Sequence, residues 1–127
     1  MCMADGGDTC DVWETRTRVA RKTHKCAECG RVIAKGESHR FYKGLIYGSW
    51  FDGRQCAHCM VMADWLSREC GGFLTEGVLE DFEEHAREYH RFDLWRLTWG
   101  GRHQWRRNGA LLPIPTLPLT SEQLART

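Results

Sequence analysis

Two short stretches decide the fold of this chain, Cys26-Ala27-Glu28-Cys29 and Cys56-Ala57-His58-Cys59. Each has two residues between its cysteines, and 26 residues separate the two pairs. Two intervening residues let one tight turn direct both sulfur atoms at a single ion, and four thiolates complete a tetrahedral Zn²⁺ shell. We therefore predict one structural zinc ion held by Cys26, Cys29, Cys56 and Cys59, in preference to a disulfide, free thiols or a thioredoxin-type redox pair.

The chain around each pair differs. Gly30 follows the first pair and favours the positive φ of a tight turn, or knuckle. The second pair runs into residues 60–70, which contain no Gly or Pro and end at Gly71-Gly72. That pattern is typical of a helix with a glycine stop, and the N-terminus of this helix stabilises thiolates at Cys56 and Cys59.

The stretch between the pairs predicts a β-hairpin. Residues 38–46 and 49–55 are rich in aromatic and β-forming side chains on either side of Tyr47-Gly48, and Gly44 is a candidate β-bulge. A knuckle, a hairpin and a helix in this order predict an α+β fold of the treble-clef zinc-finger type.

Residues 13–19 predict a half-buried N-terminal strand, because polar and apolar or β-branched residues alternate. Its predicted inner face consists of Trp13, Thr15, Thr17 and Val19. The sequence predicts an amphipathic helix after Thr75. It also predicts a third helix that is interrupted or kinked at Gly100-Gly101. The tail that holds all three prolines is predicted to be extended, either on the body or towards a partner. We divide the chain into an acidic segment 1–14, the zinc-binding domain 15–72, a helical extension 73–108 packed on it, and a Pro-containing tail 109–127.

Length and composition exclude several classes of protein. With 127 residues, 42% of them hydrophobic and 28% charged, the chain fits one globular domain. No apolar run approaches the roughly 18–20 residues of a membrane span, and no signal peptide begins the sequence, so we expect a cytoplasmic protein.

Seven cysteines, an odd number without an export signal, argue against a disulfide framework. We expect Cys2 and Cys10 to be mobile thiols and Cys70 to be a buried apolar residue.

Two histidines lie beside or within the cysteine pairs, and each has two possible interpretations. His58, inside the second pair, could compete as a metal ligand, but a solvent-facing residue at a helix start is the favoured interpretation. His24, just before Cys26, is either exposed in a basic loop or a hydrogen-bond donor to a sulfur.

Charge is segregated along the chain although the net charge is only +1. Residues 16–43 carry nine bases against two acids, and exposed aromatic residues on the hairpin would suit phosphate contact with base stacking. Arginines with a tryptophan recur at residues 102–107. The candidate partner-binding residues are Arg16, Arg18, Arg21, Lys22, Lys25, Arg40, Tyr42, Lys43, Tyr47, Trp50, Arg102, Trp105, Arg106 and Arg107. For Trp105, anchoring the tail on the core is the competing interpretation.

The second helix has the opposite charge, since residues 76–93 carry seven acids and two arginines. Such a face would repel DNA and could instead meet a basic protein. The candidate acidic interface consists of Glu80, Asp81, Glu84 and Glu88. Charged faces that are merely solvated are the plain alternative to both surfaces.

Further motifs accompany the cysteines: Arg21-Lys22-x-His24-Lys25 before the first pair, Gly30-Arg31-x-Ile33-x-x-Gly36-Glu37 after it, Trp65-Leu66, and Glu69-Cys70-Gly71-Gly72-Phe73. Together they resemble small uncharacterised zinc-binding proteins of tailed bacteriophages and prophages, over about residues 16–118. The resemblance implies a bacterial host cytoplasm during infection, where small proteins of this kind bind and redirect host machinery, including defence systems.

We therefore expect a non-catalytic binding protein whose partner is a host protein or a protein–nucleic-acid complex. Direct DNA or RNA binding through the basic segment 16–43 is the first alternative, and a membrane or a small-molecule substrate is not expected. An HNH-like treble-clef nuclease is the second alternative, with His39 as general base. Its support is weak because His85 and His90 point to different helix faces and the only asparagine, Asn108, lies far downstream.

Overall fold

The computed structural model describes residues 12–71 and 77–127. In order, these form β1 (Val12–Val19), β2 (His24–Lys25), β3 (Val32–Ile33), β4 (Ser38–Ile46), β5 (Ser49–Cys56), α1 (Ala57–Cys70), α2 (Val78–Tyr89), α3 (Phe92–Arg102), β6 (Arg106–Arg107), β7 (Ala110–Leu111) and α4 (Ser121–Ala125). The predicted α+β class is confirmed. Cys2, Cys10 and most of the acidic segment 1–14 lie outside the described residues. No described helix is long and apolar enough to cross a membrane.

The three-stranded sheet has the order β1-β4-β5 and is antiparallel throughout. β4 and β5 form the predicted hairpin, and the φ values of +50° at Tyr47 and +77° at Gly48 fit a two-residue type I′ turn. The predicted bulge at Gly44 is wrong, because pairing along the hairpin is unbroken. Gly44 instead leaves room for the Phe51 ring, which would lie 2.6 Å from a Cβ at that position.

Strand β1 is an edge strand and is less covered than its sequence predicts. Trp13 is partly buried and stacks on Tyr42, with 5.8 Å between ring centroids. Thr15, Thr17 and Val19 are exposed, so the predicted inner face is wrong over most of its length. The covering aromatic rings gather at one end of the sheet, and the short threonine side chains beyond them remain in contact with water.

Helices α1 and α2 supply most of the core. α1 ends at Gly71, whose φ is +78°, as the glycine stop predicts. The predicted apolar stripe of α2 is confirmed by the burial of Val78, Leu79, Phe82 and Ala86. The Phe82 ring packs edge-on against Trp65 of α1, with 5.3 Å between centroids.

Helix α3 runs through Gly100 and Gly101 to Arg102, so the predicted interruption is wrong. Both glycines are buried. A Cβ on Gly100 would lie 2.5 Å from the Trp105 ring, and one on Gly101 would lie 2.5 Å from Leu79. These glycines therefore permit close packing rather than ending the helix.

The C-terminal tail lies on the body. Residues Asn108 and Gly109, both with positive φ, turn the chain between β6 and β7. Further along, the carbonyl of Leu119 accepts a hydrogen bond from the Trp65 indole at 3.1 Å. A capping box at Thr120 then starts the short helix α4. The tail thus closes over α1 rather than projecting from it.

Candidate metal centre and adjoining basic cleft

The four paired cysteines lie at two turns that meet. Cys26 and Cys29 lie in the loop between β2 and β3, where Gly30 has a φ of +79°. Cys56 is the last residue of β5 and the N-cap of α1, and Cys59 lies in the first turn of that helix. The backbone N–H of Cys56 donates to the Sγ of Cys26 at 3.3 Å, which links the two turns directly.

The sulfur positions fit a tetrahedral ion. All four Sγ atoms lie within 4.8 Å of one another, and those of Cys29 and Cys56 are 3.9 Å apart. Sulfurs around a tetrahedral ion with a bond of about 2.3 Å are about 3.8 Å apart, whereas sulfurs in a disulfide are about 2.05 Å apart. The four predicted ligands therefore form a candidate metal site. Within residues 12–71 and 77–127, no second group of three or more His, Cys, Asp or Glu converges in this way.

Two N–H donors lie against the sulfurs on the helix side. The Cys59 backbone donates to the Cys56 Sγ at 3.4 Å, and the Trp105 indole donates to the Cys59 Sγ at 3.3 Å. Trp105 is only 3% exposed, so its predicted role in partner binding is wrong. Its indole covers the site, and donors of this kind typically contribute about 10- to 100-fold to metal affinity.

The four thiols shift one another's pKa values because they are buried together. A hydrogen bond from Cys29 lowers the pKa of Cys26 to about 7, and one from Cys26 holds the pKa of Cys56 below its ordinary value. Hydrogen bonds with Cys26 raise the pKa of Cys29 and of Cys59 above their ordinary values. Four thiolates at these distances repel one another strongly unless a cation lies among them. Coordination of a divalent ion is the chemistry that suits this donor set.

A buried arginine lies beside the site in an ion pair. The guanidinium of Arg31, 2% exposed, donates to both carboxylate oxygens of Glu37 at 3.0 and 3.2 Å. Burial opposes its charge, but the hydrogen bond to Glu37 and the nearby Cys56 sulfur raise the pKa of Arg31 above its ordinary value. That hydrogen bond also lowers the pKa of Glu37. The ion pair as a whole is neutral, but its guanidinium end lies near Cys56, which favours the thiolate form of that sulfur.

His58 does not face solvent as expected. It is 2% exposed, with Nε2 2.6 Å from the carbonyl oxygen of Leu112 and Nδ1 3.1 Å from Nη2 of Arg31. A carbonyl only accepts and a guanidinium only donates, so Nε2 carries the ring proton and Nδ1 accepts. Both ring nitrogens therefore have hydrogen-bond partners other than a metal ion. His58 therefore ties the C-terminal tail to Arg31 and is not a competing ligand.

The remaining thiol in the described range lies apart from the metal site. Cys70, at the end of α1, is exposed, so the expectation of a buried apolar role is wrong. Its Sγ lies 3.2 Å from Nε2 of His85, whose Nδ1 donates to the carbonyl of Asp81 at 2.7 Å. The helix ends at this point, which leaves the thiol at the surface.

The histidines weighed for a nuclease are scattered. His39 is fully buried, with Nε2 2.7 Å from a nitrogen of Arg54 and Nδ1 3.4 Å from the carbonyl oxygen of Glu37. His90 caps the end of α2, and Asn108 lies in the turn between β6 and β7. Within the described residues, none of them joins a metal-ligating group.

A basic cleft of about 880 Å³ lies against the three-stranded sheet. Its polar lining consists of Arg16, Arg18, Arg21, Lys22, His24, His39 and Arg54. Arg16 is paired with Glu14, but Arg18, Arg21, Lys22 and Arg54 have no carboxylate partner among the described residues. Desolvation, followed by the charges of Arg54 and the other neighbouring bases, lowers the pKa of His24. The field in this cleft is therefore positive.

The register of the sheet explains how the cleft forms. Arg16, Phe41 and Arg54 lie opposite one another on β1, β4 and β5, and so share one face of the sheet. The guanidinium carbons of Arg18 and Arg54 lie 4.0 and 5.0 Å from the centroid of the Phe41 ring, as cation–π contacts require. Phe41 thus holds two arginines in place at the cleft.

Other candidate partner-binding residues on the sheet fall into two groups. Arg40 is largely buried and paired with Asp64 at 2.8 Å, and Tyr42 is 2% exposed beneath Trp13, so neither is available to a partner as predicted. The exposed group consists of Lys25, Lys43, Tyr47 and Trp50.

The candidates in the C-terminal half are mostly at the surface. Arg102 lies between helices and pairs with Glu83 at 3.2 Å and Glu80 at 3.8 Å. Arg106 and Arg107 are exposed on β6. The candidate acidic interface on α2 has Glu80, Glu84 and Glu88 exposed and Asp81 partly buried. Arg102 therefore neutralises part of the acidic face.

No protein-family model, curated protein or solved structure matches this chain. Function has to be inferred from the two sites themselves. Four thiolates fill a tetrahedral shell and leave no position for water, which favours a structural ion. The cleft offers fixed positive charge, which favours an anionic partner.

Proposed function

We propose that this chain is a non-catalytic, zinc-stabilised protein of the treble-clef type that binds nucleic acid through its basic cleft. The fold assignment is supported by the order of the elements. A two-stranded knuckle carries the first cysteine pair, a hairpin follows, and a helix begins at the second pair. Zinc is the ion that most commonly occupies four-cysteine sites in proteins without redox chemistry.

The observation that carries the nucleic-acid assignment is a set of cleft cations without a carboxylate partner in the described part of the chain. Arg18, Arg21, Lys22 and Arg54 converge there, and no described carboxylate neutralises any of them. Elsewhere Arg31, Arg40 and Arg102 each have a carboxylate partner. Holding like charges together costs free energy, and an external polyanion such as a phosphate backbone relieves it.

The test is binding of a labelled DNA of about 20 nucleotides, longer than the roughly 4–16 that one small domain covers. We expect a dissociation constant of about 1–100 μM near physiological salt, the range of sequence-independent binding. Arg18→Gln should weaken binding, whereas Arg68→Gln, which removes an exposed arginine from α1, should not. Failure to bind even at about 50 mM salt would exclude the proposal.

A host protein is the second candidate partner, and α3 is the feature that favours it. Phe92 is 77% exposed, and Trp95 and Trp99 are 38% and 44% exposed. Large aromatic residues are frequent anchors of protein interfaces, and three on one short helix are more than scattered surface residues explain. The phage resemblance points the same way. Affinity capture from a bacterial lysate with wild type and Trp95→Ala tests it: the partner should be lost from the variant.

A further inference from the structure

The tip of the β4–β5 hairpin exposes two large aromatic side chains. Tyr47 is 78% exposed and Trp50 is 58% exposed. The ammonium of Lys43 lies 4.8 Å from the centroid of the Trp50 ring. Among the other aromatic rings of β1, β4 and β5, Tyr42 is buried and Trp13, Phe41 and Phe51 are partly buried. Trp50 is therefore the exposed ring of these strands and the one best placed to receive a flat ligand.

The register places Trp50 on the same face as the cleft. Trp50 and Arg54 are four residues apart on β5, and side chains at even spacing on a strand share one face. Four residues of an antiparallel strand span about 14 Å. The face therefore presents a cationic cleft at one end and an exposed indole at the other, a spacing of a few nucleotides.

Between the cleft and Trp50, the sheet face carries a row of three charged side chains, in which a lysine lies between two acids. Glu14, Lys43 and Asp52 lie opposite one another across the three strands. Glu14 is paired with Arg16, whereas Asp52 forms no ion pair with a described residue and would repel the outward phosphates of a duplex. A single strand can direct its bases rather than its phosphates at this row. The pattern therefore favours a single strand over a duplex.

The backbone at the tip adds an independent observation. Tyr47 has a φ of +50°, in the left-handed region that Asn and Gly favour in such turns and that bulky residues rarely adopt. Because the side chain is 78% exposed, burial contributes little to keeping a tyrosine there. Residues in such conformations cluster at ligand-contact sites, which makes the exposed Tyr47 ring a candidate contact at the tip.

We infer that this sheet face binds single-stranded nucleic acid, with phosphates in the cleft and a base stacked on Trp50. The inference rests on the proposed function and specifies its substrate class. Stacking on an aromatic ring requires an unpaired base and tolerates any base, so little sequence preference is expected. Tyr47 provides a second contact surface at the tip.

The experiment compares oligo-dT, oligo-U and a duplex of equal length by fluorescence anisotropy. Both single strands should bind more tightly than the duplex, and Trp50→Ala should weaken single-strand binding by about 5- to 150-fold. Ile114→Ala, which removes a side chain of the same exposed fraction, 58%, from the C-terminal tail, is the control and should leave binding unchanged. Tyr47→Asn should raise the melting temperature while weakening binding, which separates contact from folding.

The outcomes distinguish the two proposals. Duplex binding as tight as single-strand binding, with no effect of Trp50→Ala, would overturn the inference and leave the cleft as a general phosphate site. Loss of affinity for all three ligands would overturn the proposed function itself. A preference for oligo-dT or oligo-U would identify which single-stranded nucleic acid is bound.

Discussion

The cleft makes a quantitative prediction about salt. Arg21 and Lys22 lie between β1 and β2, are exposed, and have no carboxylate partner among the described residues. Replacing both with serine removes two cleft charges without disturbing a strand or an ion pair. The fold should therefore persist, and the change should appear only in binding.

The expected magnitude follows from counterion release. For single strands, the logarithm of the binding constant falls with the logarithm of salt with a slope of about −0.7 per phosphate neutralised. The four cleft cations that lack a carboxylate partner among the described residues give a slope of about −2.8, so affinity should fall about 50-fold between about 50 and 200 mM salt. With Arg21→Ser/Lys22→Ser the slope should be about −1.4 and the loss about 7-fold.

The assay is a series of anisotropy titrations at several salt concentrations. Arg106→Ser/Arg107→Ser removes the same charge from the exposed strand β6 and should keep the steeper slope. An equal loss of slope in both variants would show that net charge, and not the cleft, governs binding. An unchanged slope in the cleft variant would refute the assignment of phosphates to these residues.

Two further predictions concern stability. One zinc per chain should be found by metal analysis, and Cys29→Ser or chelation should unfold the protein, whereas Cys70→Ser should retain both metal and fold, as circular dichroism can show. The pKa of Glu37 is lowered by Arg31, so ionised Glu37 contributes stability that is fully present above about pH 4.5 and is lost as pH falls through its folded-state pKa. Glu37→Gln should lower the melting temperature at pH 7, and the difference from wild type should vanish on acidification; a constant difference would contradict this ion pair.

The cysteine spacing and the glycine stop were sufficient to predict the four-cysteine cluster and helix α1. Both are local signals, because the geometry of a two-residue turn or a glycine stop depends on a few neighbouring residues. The hairpin about Tyr47-Gly48 was predicted for the same reason. Two further local signals predict elements of the C-terminal part: Asn108-Gly109 marks the β6–β7 turn, and the Thr120–Gln123 pattern marks the capping box of α4.

The wrong predictions for His58 and Trp105 have a different origin, because the burial of these side chains is set by residues distant in sequence. His58 is buried because the tail returns 54 residues later to place the Leu112 carbonyl against it. Trp105 is buried because Gly100 leaves space for its ring. Local polarity made His58 appear solvent-facing, and an arginine-rich neighbourhood made Trp105 appear to be a partner anchor. Periodicity cannot reveal either contact.

The candidate metal site and the cleft are joined through the same strands, so an ion held by the four cysteines would also order the cleft. His39 lies opposite Cys56 in the sheet, and its Nε2 is 2.7 Å from a nitrogen of Arg54 in the cleft. On the other side, His24 of the cleft lining is two residues from Cys26. Fixing Cys26 and Cys56 on one ion therefore fixes both walls of the cleft. The entropic cost of ordering these walls would then be met during folding, and under the proposed function the cations would already be in position when a phosphate backbone arrives.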